Sequence, residues 1–170
     1  MVFRVAGTGA AAISSYQGYF GSFYSIVDQT TTANVAVAMA CELTASNAGV
    51  TMVDNGSGKN TRITFANAGT YNIQFSVQFH NLGGGGSGTT ANIWFKLNGT
   101  NIDNSNTKVT VNTNNPYYVA AWNFIETVTA GQYIEIYWVV DNTNIILENE
   151  PSTGSVPAIP SVIITAQQIR

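Results

Sequence analysis

The chain has 170 residues, a net charge of −3 and a charged fraction of only 9%. Its six lysines and arginines are scattered, so no basic stripe exists that could neutralise nucleic-acid phosphates. The single cysteine, Cys41, excludes an intrachain disulfide, and no stretch reaches the ~20 apolar residues of a membrane span. We therefore expect neither a nucleic acid nor a membrane as a partner.

Residues 1–32 form the first predicted segment. They are rich in glycine, alanine, serine and aromatic residues without a clean period, which indicates an extended arm leading into a first strand at about 22–28. Residues 33–170 form the predicted folded domain. Apolar runs recur there at 35–43, 50–53, 61–65, 70–81, 91–97, 101–111, 117–128, 132–140, 145–147 and 161–166. This pattern predicts an all-β, two-sheet jelly-roll sandwich with an extended N-terminal arm.

The clearest single pattern lies between residues 63 and 79. From Tyr71 to Phe79, apolar side chains alternate with polar ones, so the strand has one apolar face and one polar face. The polar face comprises Asn72, Gln74, Ser76 and Gln78.

The spacing Phe-x3-Gly-x-Tyr-x-Ile-x-Phe, which begins at Phe65, resembles the strand–turn–strand signature of complement globular-head and tumour-necrosis-factor-like jelly rolls. The hairpin Leu97-Asn98-Gly99 and the segment 128–134 are similar to two further turns of that family, and 162–164 is similar to its closing strand. The resemblance covers roughly residues 35–168. It implies a ten-stranded jelly roll that assembles into a trimer around a threefold axis.

A second resemblance comes from composition. Asparagine (19 residues) and threonine (20 residues) replace the missing charges, which gives a polar, nearly uncharged surface suited to burial against other proteins. Together with the short length and the aromatic arm, this composition resembles that of small structural proteins of tailed bacteriophages. That resemblance implies a virion component made in the host cytoplasm, in keeping with an N-terminus that lacks the pattern of a secretory signal.

The strand predicted at 117–128 is apolar on both faces. In an isolated sandwich, one face of each sheet should be exposed to solvent and therefore polar. Either a loop or the arm covers the second face, or that face packs on neighbouring subunits. We favour the second interpretation. The resemblance then implies that the polar face of the 70–81 strand also points to the threefold axis. The predicted trimer interface comprises Asn72, Gln74, Ser76, Gln78, Tyr117, Val119, Ala121, Ile125 and Ile163.

The aromatic arm also has two interpretations. It folds back to complete the sandwich, or it reaches out and binds another virion protein, because aromatic side chains bury much area with few rotatable bonds. We favour attachment. The predicted attachment residues are Phe3, Arg4, Tyr16, Tyr19, Phe20, Phe23 and Tyr24.

Residues that could carry chemistry are few. A glycosidase needs two carboxylates that face each other across a cleft, and nothing in the sequence fixes such a pair. We therefore expect solvated acids at Glu126, Glu135, Asp141, Glu148 and Glu150. The only histidine, His80, is expected to be a surface or interface residue, because no nucleophile motif accompanies it. A calcium site near Asp103 or Asp141 stays an open alternative. We expect no catalytic, metal or cofactor site, and no enzyme.

These points favour a structural virion protein, a homotrimeric capsid decoration or cement protein that binds between subunits of the major capsid protein or to another virion protein. The alternative is a receptor-binding head or tip of a tail fibre or spike. Its ligand, a host glycan, would then meet the loops at 83–88 and 112–116.

Overall fold

The computed structural model describes residues 18–83, 89–113 and 116–170, and the regular structure in these ranges is entirely β. The strands of the described ranges, in chain order, are β1 Phe20–Ser25, β2 Val37–Ala38, β3 Leu43–Ala48, β4 Val50–Asp54, β5 Asn60–Phe65, β6 Gly69–Asn81, β7 Thr90–Leu97, β8 Thr100–Asn101, β9 Thr107–Thr110, β10 Tyr117–Val128, β11 Tyr133–Val140, β12 Ile145–Leu147 and β13 Val162–Gln168. Within these ranges, no helix is long and apolar enough to cross a membrane.

Two antiparallel sheets pack into a sandwich. The six-stranded sheet has the order β10-β6-β13-β1-β3, with β12 pairing one end of β6. The seven-stranded sheet has the order β4-β5-β11-β7-β8, with β2 pairing β11 and β9 pairing β7. Apart from pairs such as β4–β5 and β7–β8, neighbouring strands are far apart in sequence, as in a jelly roll. The predicted all-β, two-sheet fold is confirmed.

The core lies between the sheets, where the inward side chains of both sheets meet. The rings of Phe75 on β6 and Phe95 on β7 meet with centroids 5.9 Å apart, and those of Phe79 and Trp138 meet at 6.1 Å. Full burial of one such side chain contributes roughly 1.5–3 kcal/mol. Cys41 is buried in the same core.

The turn between β7 and β8 follows from two residues. Asn98 and Gly99 have φ values of 48° and 83°, the left-handed pair that a two-residue hairpin turn requires. The Asn98 side-chain oxygen also accepts a hydrogen bond of 3.0 Å from the Tyr133 amide, which ties the hairpin to β11. The predicted Asn-Gly hairpin is therefore confirmed.

The predicted strand positions agree with the structure where the apolar pattern is strong. β10 has the predicted bounds, and β6 differs from its prediction by one residue at its start. The predicted strand at 101–111 is wrong as one strand, because a turn around Asn104, with φ of 61°, separates β8 from β9. β3 was missed because its sequence after Leu43, TASNA, is polar or small throughout and mostly exposed.

β1 lies between β13 and β3 in the six-stranded sheet, so the described part of the segment 1–32 belongs to the sandwich. Phe23 has no exposed surface and packs in the core. Its predicted role in an attachment arm is therefore wrong. Phe3, Arg4 and Tyr16 lie outside the described residues.

Candidate functional site

The outward side chains of β1, β6, β10 and β13 form one continuous surface, here called the outer face. β10 pairs β6 along its whole length, so Val119 lies beside Gln78 and Ala121 beside Ser76. β13 pairs the other side of β6 and places Ile163 beside the same Ser76. Strand alternation then directs every second residue of these strands outward. All nine residues predicted for a trimer interface lie on this face: Asn72, Gln74, Ser76, Gln78, Tyr117, Val119, Ala121, Ile125 and Ile163.

The outer face lacks charge. On the described strands β1, β6, β10 and β13, no outward residue is a lysine, arginine, aspartate or glutamate. Val119 and Ile125 are 58% and 55% exposed, and Tyr117 and Ile163 are also exposed. Away from the His80 end, a partner can therefore cover this surface without removing a formal charge from water, which is the main cost of burying a polar surface.

A shallow groove of about 430 Å³ crosses the centre of the outer face. Small and polar side chains form it, among them Ser76, Ala121 and Thr165, while the bulkier Ile163 borders it. Two side-chain amides of the face are hydrogen-bonded to each other: Asn123 donates a hydrogen bond of 3.1 Å from Nδ2 to Asn72 Oδ1. The face is thus polar at its centre, concave and bordered by apolar side chains.

The groove includes outward residues that the sequence analysis did not single out. Asn123 and Thr165 lie on the outer face, two residues from Ala121 and Ile163 respectively. The same period of two that selected Ala121 and Ile163 could have found them.

β10 is the last strand of its sheet, so its inward aromatic side chains are only partly covered. Tyr118 is 41% exposed, and Trp122 and Phe124 are half-buried beside the core. The Trp122 ring lies 4.6 Å from that of Phe75, and Phe124 stacks on Phe95 at 4.8 Å. We call Tyr118, Trp122 and Phe124 the aromatic edge. It is a second apolar surface next to the outer face, and Trp122 also lines the groove.

A histidine–carboxylate pair lies at one end of the outer face. His80 Nδ1 and Glu148 Oε1 are 2.8 Å apart, and each side chain is 17% exposed. The Tyr117 ring stacks on the imidazole with centroids 4.3 Å apart. The charge of Glu148, followed by partial desolvation and the charge of Glu150, raises the pKa of the Tyr117 phenol above its usual value. His80 is thus half-buried and paired at the boundary of the face.

The acidic residues are less uniform than the sequence predicted. Glu135 is 4% exposed, and Glu148 is paired with His80, so the expectation of a solvated acid is wrong for both. Asp141 accepts hydrogen bonds from the Thr90 amide and hydroxyl, each of 2.8 Å, which occupies both of its oxygens. Within residues 18–83, 89–113 and 116–170, no three His, Cys, Asp or Glu side chains are grouped to hold a metal ion.

The remaining arm residues divide between the core and the surface. Tyr19 is half-buried against the core, and its backbone oxygen accepts a hydrogen bond of 2.8 Å from the Gln168 amide. Phe20 and Tyr24 point outward from β1. These two therefore lie on the outer face, not on a separate arm. Positions 84–88 of the predicted loop at 83–88, and positions 114 and 115 of the loop at 112–116, lie outside the described residues.

The strand order and sandwich define a tumour-necrosis-factor-like jelly roll. Two crystal structures of murine APRIL, at pH 8.5 and at pH 5.0, match over 90% of this chain and 100% of theirs, each with a TM-score of 0.53. The sequence identities are 9% and 8%, so the likeness shows the fold alone. No protein-family model matches the chain, and no curated protein sequence matches it.

Proposed function

We propose that the chain is a structural virion protein that assembles as a homotrimer through the outer face and decorates a phage capsid. The observation that carries the proposal is the uncharged outer face, where exposed apolar side chains surround unionised amides and hydroxyls. A surface of this composition matches the core of a protein–protein interface, which is depleted in charge and enriched in aromatic residues. The function is adhesion between proteins.

The aromatic edge is the surface that fits the outer face of a second copy. Tyr118, Trp122 and Phe124 present a partly exposed aromatic row, and the outer face has a shallow concave centre. Each ring buries a large area at a small cost in side-chain entropy. A contact between the edge of one copy and the face of the next removes both apolar surfaces from water.

Such a contact is heterologous, because the two surfaces in it are different. Heterologous contacts either close into a ring or continue into a filament. Closure after three copies agrees with the trimer that the resemblance to tumour-necrosis-factor-like proteins implies. Three linked copies would then bind a capsid lattice more tightly than one, because the second and third contacts become intramolecular.

The phage capsid as the partner rests on composition and on the arm. Only 9% of residues are charged, which makes long protein contacts tolerant of salt. Residues 1–17 supply Phe3, Arg4 and Tyr16 ahead of the first strand, and these are the remaining candidates for attachment.

Copy number in purified phage particles from the source of this sequence tests the proposal. Quantitative mass spectrometry compares the chain with the major capsid protein. We expect a ratio comparable to that of the capsid protein, because a decoration protein covers the whole lattice. A few copies per particle would instead assign the chain to a fibre or spike tip, and its absence from particles would overturn both virion assignments.

A further inference from the structure

A groove of about 500 Å³ lies on the outside of the seven-stranded sheet, away from the outer face. We call it the asparagine groove, and its main residues are Asn92, Trp94, Asn101, Asp103, Asn104 and Asn106. One large aromatic ring is thus surrounded by four amides and one carboxylate. Nothing in the proposed assembly uses this groove.

The wall of the groove is a loop held rigidly against β7. The buried Ser105 hydroxyl accepts a hydrogen bond of 3.1 Å from the Phe95 amide and donates one of 2.7 Å to the Ile102 carbonyl. The Ile102 amide donates a hydrogen bond of 3.0 Å to the Phe95 carbonyl. Asn104 stands at the tip with φ of 61°, a conformation that asparagine tolerates. The groove is therefore preformed, which lowers the entropic cost of binding a ligand.

The Trp94 ring is fixed in the floor of the groove. Its Nε1 donates a hydrogen bond of 2.9 Å to Asn101 Oδ1, and the ring packs 5.8 Å from that of Tyr137. This anchoring leaves Trp94 half-buried, with part of the indole facing the groove. A fixed aromatic surface is an efficient apolar contact for a ligand, because little side-chain freedom remains to be lost.

Polar groups around the ring remain available to a ligand. Asn106 donates a hydrogen bond of 3.3 Å to Asn92 Oδ1, which leaves the Asn106 oxygen and the Asn92 amino group without a partner among the described residues. The exposed side chains of Asp103 and Asn104 likewise make no hydrogen bond within the described ranges. Amides offer both donors and acceptors, whereas the carboxylate only accepts.

We propose that the asparagine groove binds a neutral saccharide. The C–H groups on one side of a sugar ring carry partial positive charge and suit the negative face of the Trp94 indole. Sugar hydroxyls both donate and accept hydrogen bonds, which matches the amides of Asn92, Asn104 and Asn106. No lysine or arginine lines the groove within the described residues, and Asp103 is the one formal charge there, so an anionic ligand is disfavoured.

A peptide partner fits the groove less well. The groove is shallow and bordered by short polar side chains, with Ile102 and Val139 as its aliphatic members. A tight peptide site needs a buried apolar anchor pocket, and this groove lacks one among the described residues. A rigid ring with amides on its rim instead suits a small, hydroxyl-rich ligand of weak affinity.

The three tryptophans of the chain make the test direct, since each gives one indole signal in a ¹H–¹⁵N spectrum. Labelled protein is titrated separately with glucose, galactose, mannose and N-acetylglucosamine into the high-millimolar range. We expect at least one sugar to shift the Trp94 indole signal saturably, while those of Trp122 and Trp138 stay in place. If none of these sugars moves the Trp94 signal, or if Trp122 moves instead, the proposal is overturned.

Asn104→Gly supplies the specific variant, because glycine keeps the positive φ and removes only the side-chain amide. We expect the apparent Kd to rise about two- to tenfold, the range for loss of one neutral hydrogen bond. Asn34→Gly is the matched control, since Asn34 is also exposed with φ of 62° and does not line the groove. Equal Kd values for Asn104→Gly and Asn34→Gly would contradict the proposal, and neither result bears on trimer formation.

Discussion

Thr61 on β5 donates a hydrogen bond of 2.6 Å from its hydroxyl to Glu135 Oε1 on β11, although the two residues lie 74 positions apart. Thr61 is 1% exposed and Glu135 is 4% exposed, so this contact lies almost entirely out of water. A buried carboxylate is costly unless hydrogen bonds compensate for its lost hydration. The contact therefore accounts for a buried acid on a strand that is otherwise apolar or aromatic.

Thr61→Val removes this hydroxyl while keeping the shape of the side chain. We expect the free energy of unfolding to fall by about 1.5–3 kcal/mol, the range for a hydrogen bond to a charged group. Thr64→Val on the same strand is the control, because Thr64 is half-buried, and we expect a change within about 0.5 kcal/mol. Chemical denaturation measures both. Equal losses in the two variants would contradict the assigned role of the hydroxyl.

Cys41 provides a prediction about pH. Burial, and secondarily the charge of Glu42, raises the pKa of its thiol in the folded chain. The unfolded thiol loses its proton near pH 8.5. The stabilisation linked to this thiol is therefore complete below about pH 8.5 and is lost above it, by up to about 1.4 kcal/mol per pH unit.

Denaturation of wild type and Cys41→Ala between pH 7 and pH 10 isolates this effect, because other titrating groups are common to both. We expect the stability difference between the two proteins to shrink as pH rises. Iodoacetamide should label Cys41 only after unfolding, since the thiolate is the reactive form. Parallel stability curves, or rapid labelling of the native chain, would be inconsistent with a buried, protonated thiol.

Sequence reasoning predicted the fold well where one face of a strand is apolar and the other polar. β6 and β10 were placed to within one residue, and their outward residues were identified correctly. It failed where the decisive fact is tertiary. Nothing local indicates that Phe23 packs into the core, or that Thr61 reaches Glu135 on a neighbouring strand.

The two candidate sites also differ in how far the sequence predicts them. A period of two is a local property, so the outer face could be predicted from the sequence. The asparagine groove combines β7 with the loop after β8, and it depends on the turn at Asn104. The sequence instead favoured one long strand from 101 to 111. That error concealed the groove, because a continuous strand would have no loop to form its wall.

Val119→Asp combined with Ile125→Asp tests the outer face. Both side chains are exposed in the single chain, so we expect the sandwich to stay folded. In an assembly, each aspartate would bring an unpaired charge into an apolar contact, which costs several kcal/mol. We therefore expect monomers by light scattering, with a near-native far-ultraviolet spectrum.

The matched control for this pair is Val53→Asp combined with Val156→Asp. Those valines are also exposed, but they lie on β4 and in the segment before β13, outside the outer face. We expect this variant to keep the wild-type mass. An unchanged mass in the Val119/Ile125 variant would show that the outer face is not the interface.

Deletion of residues 1–17 tests the attachment segment separately from the fold. The deletion leaves β1, which begins at Phe20, and the rest of the described sandwich intact, so we expect the shortened chain to keep its assembly state and lose binding to particles that lack the chain. Replacing Phe3 and Tyr16 with alanine should weaken binding in the same direction, because aromatic anchors dominate many interfaces. Val5→Ala with Ile13→Ala is the control. Normal particle binding by the shortened chain would refute this role.

If the outer face joins copies of this chain, the wild-type protein is an oligomer, and its mass in solution shows this. Size-exclusion chromatography with multi-angle light scattering gives that mass without reference to shape. We expect a single species of about three times the chain mass of 18.1 kDa, stable to dilution and to high salt. A monomer of the chain mass across the same conditions would contradict it.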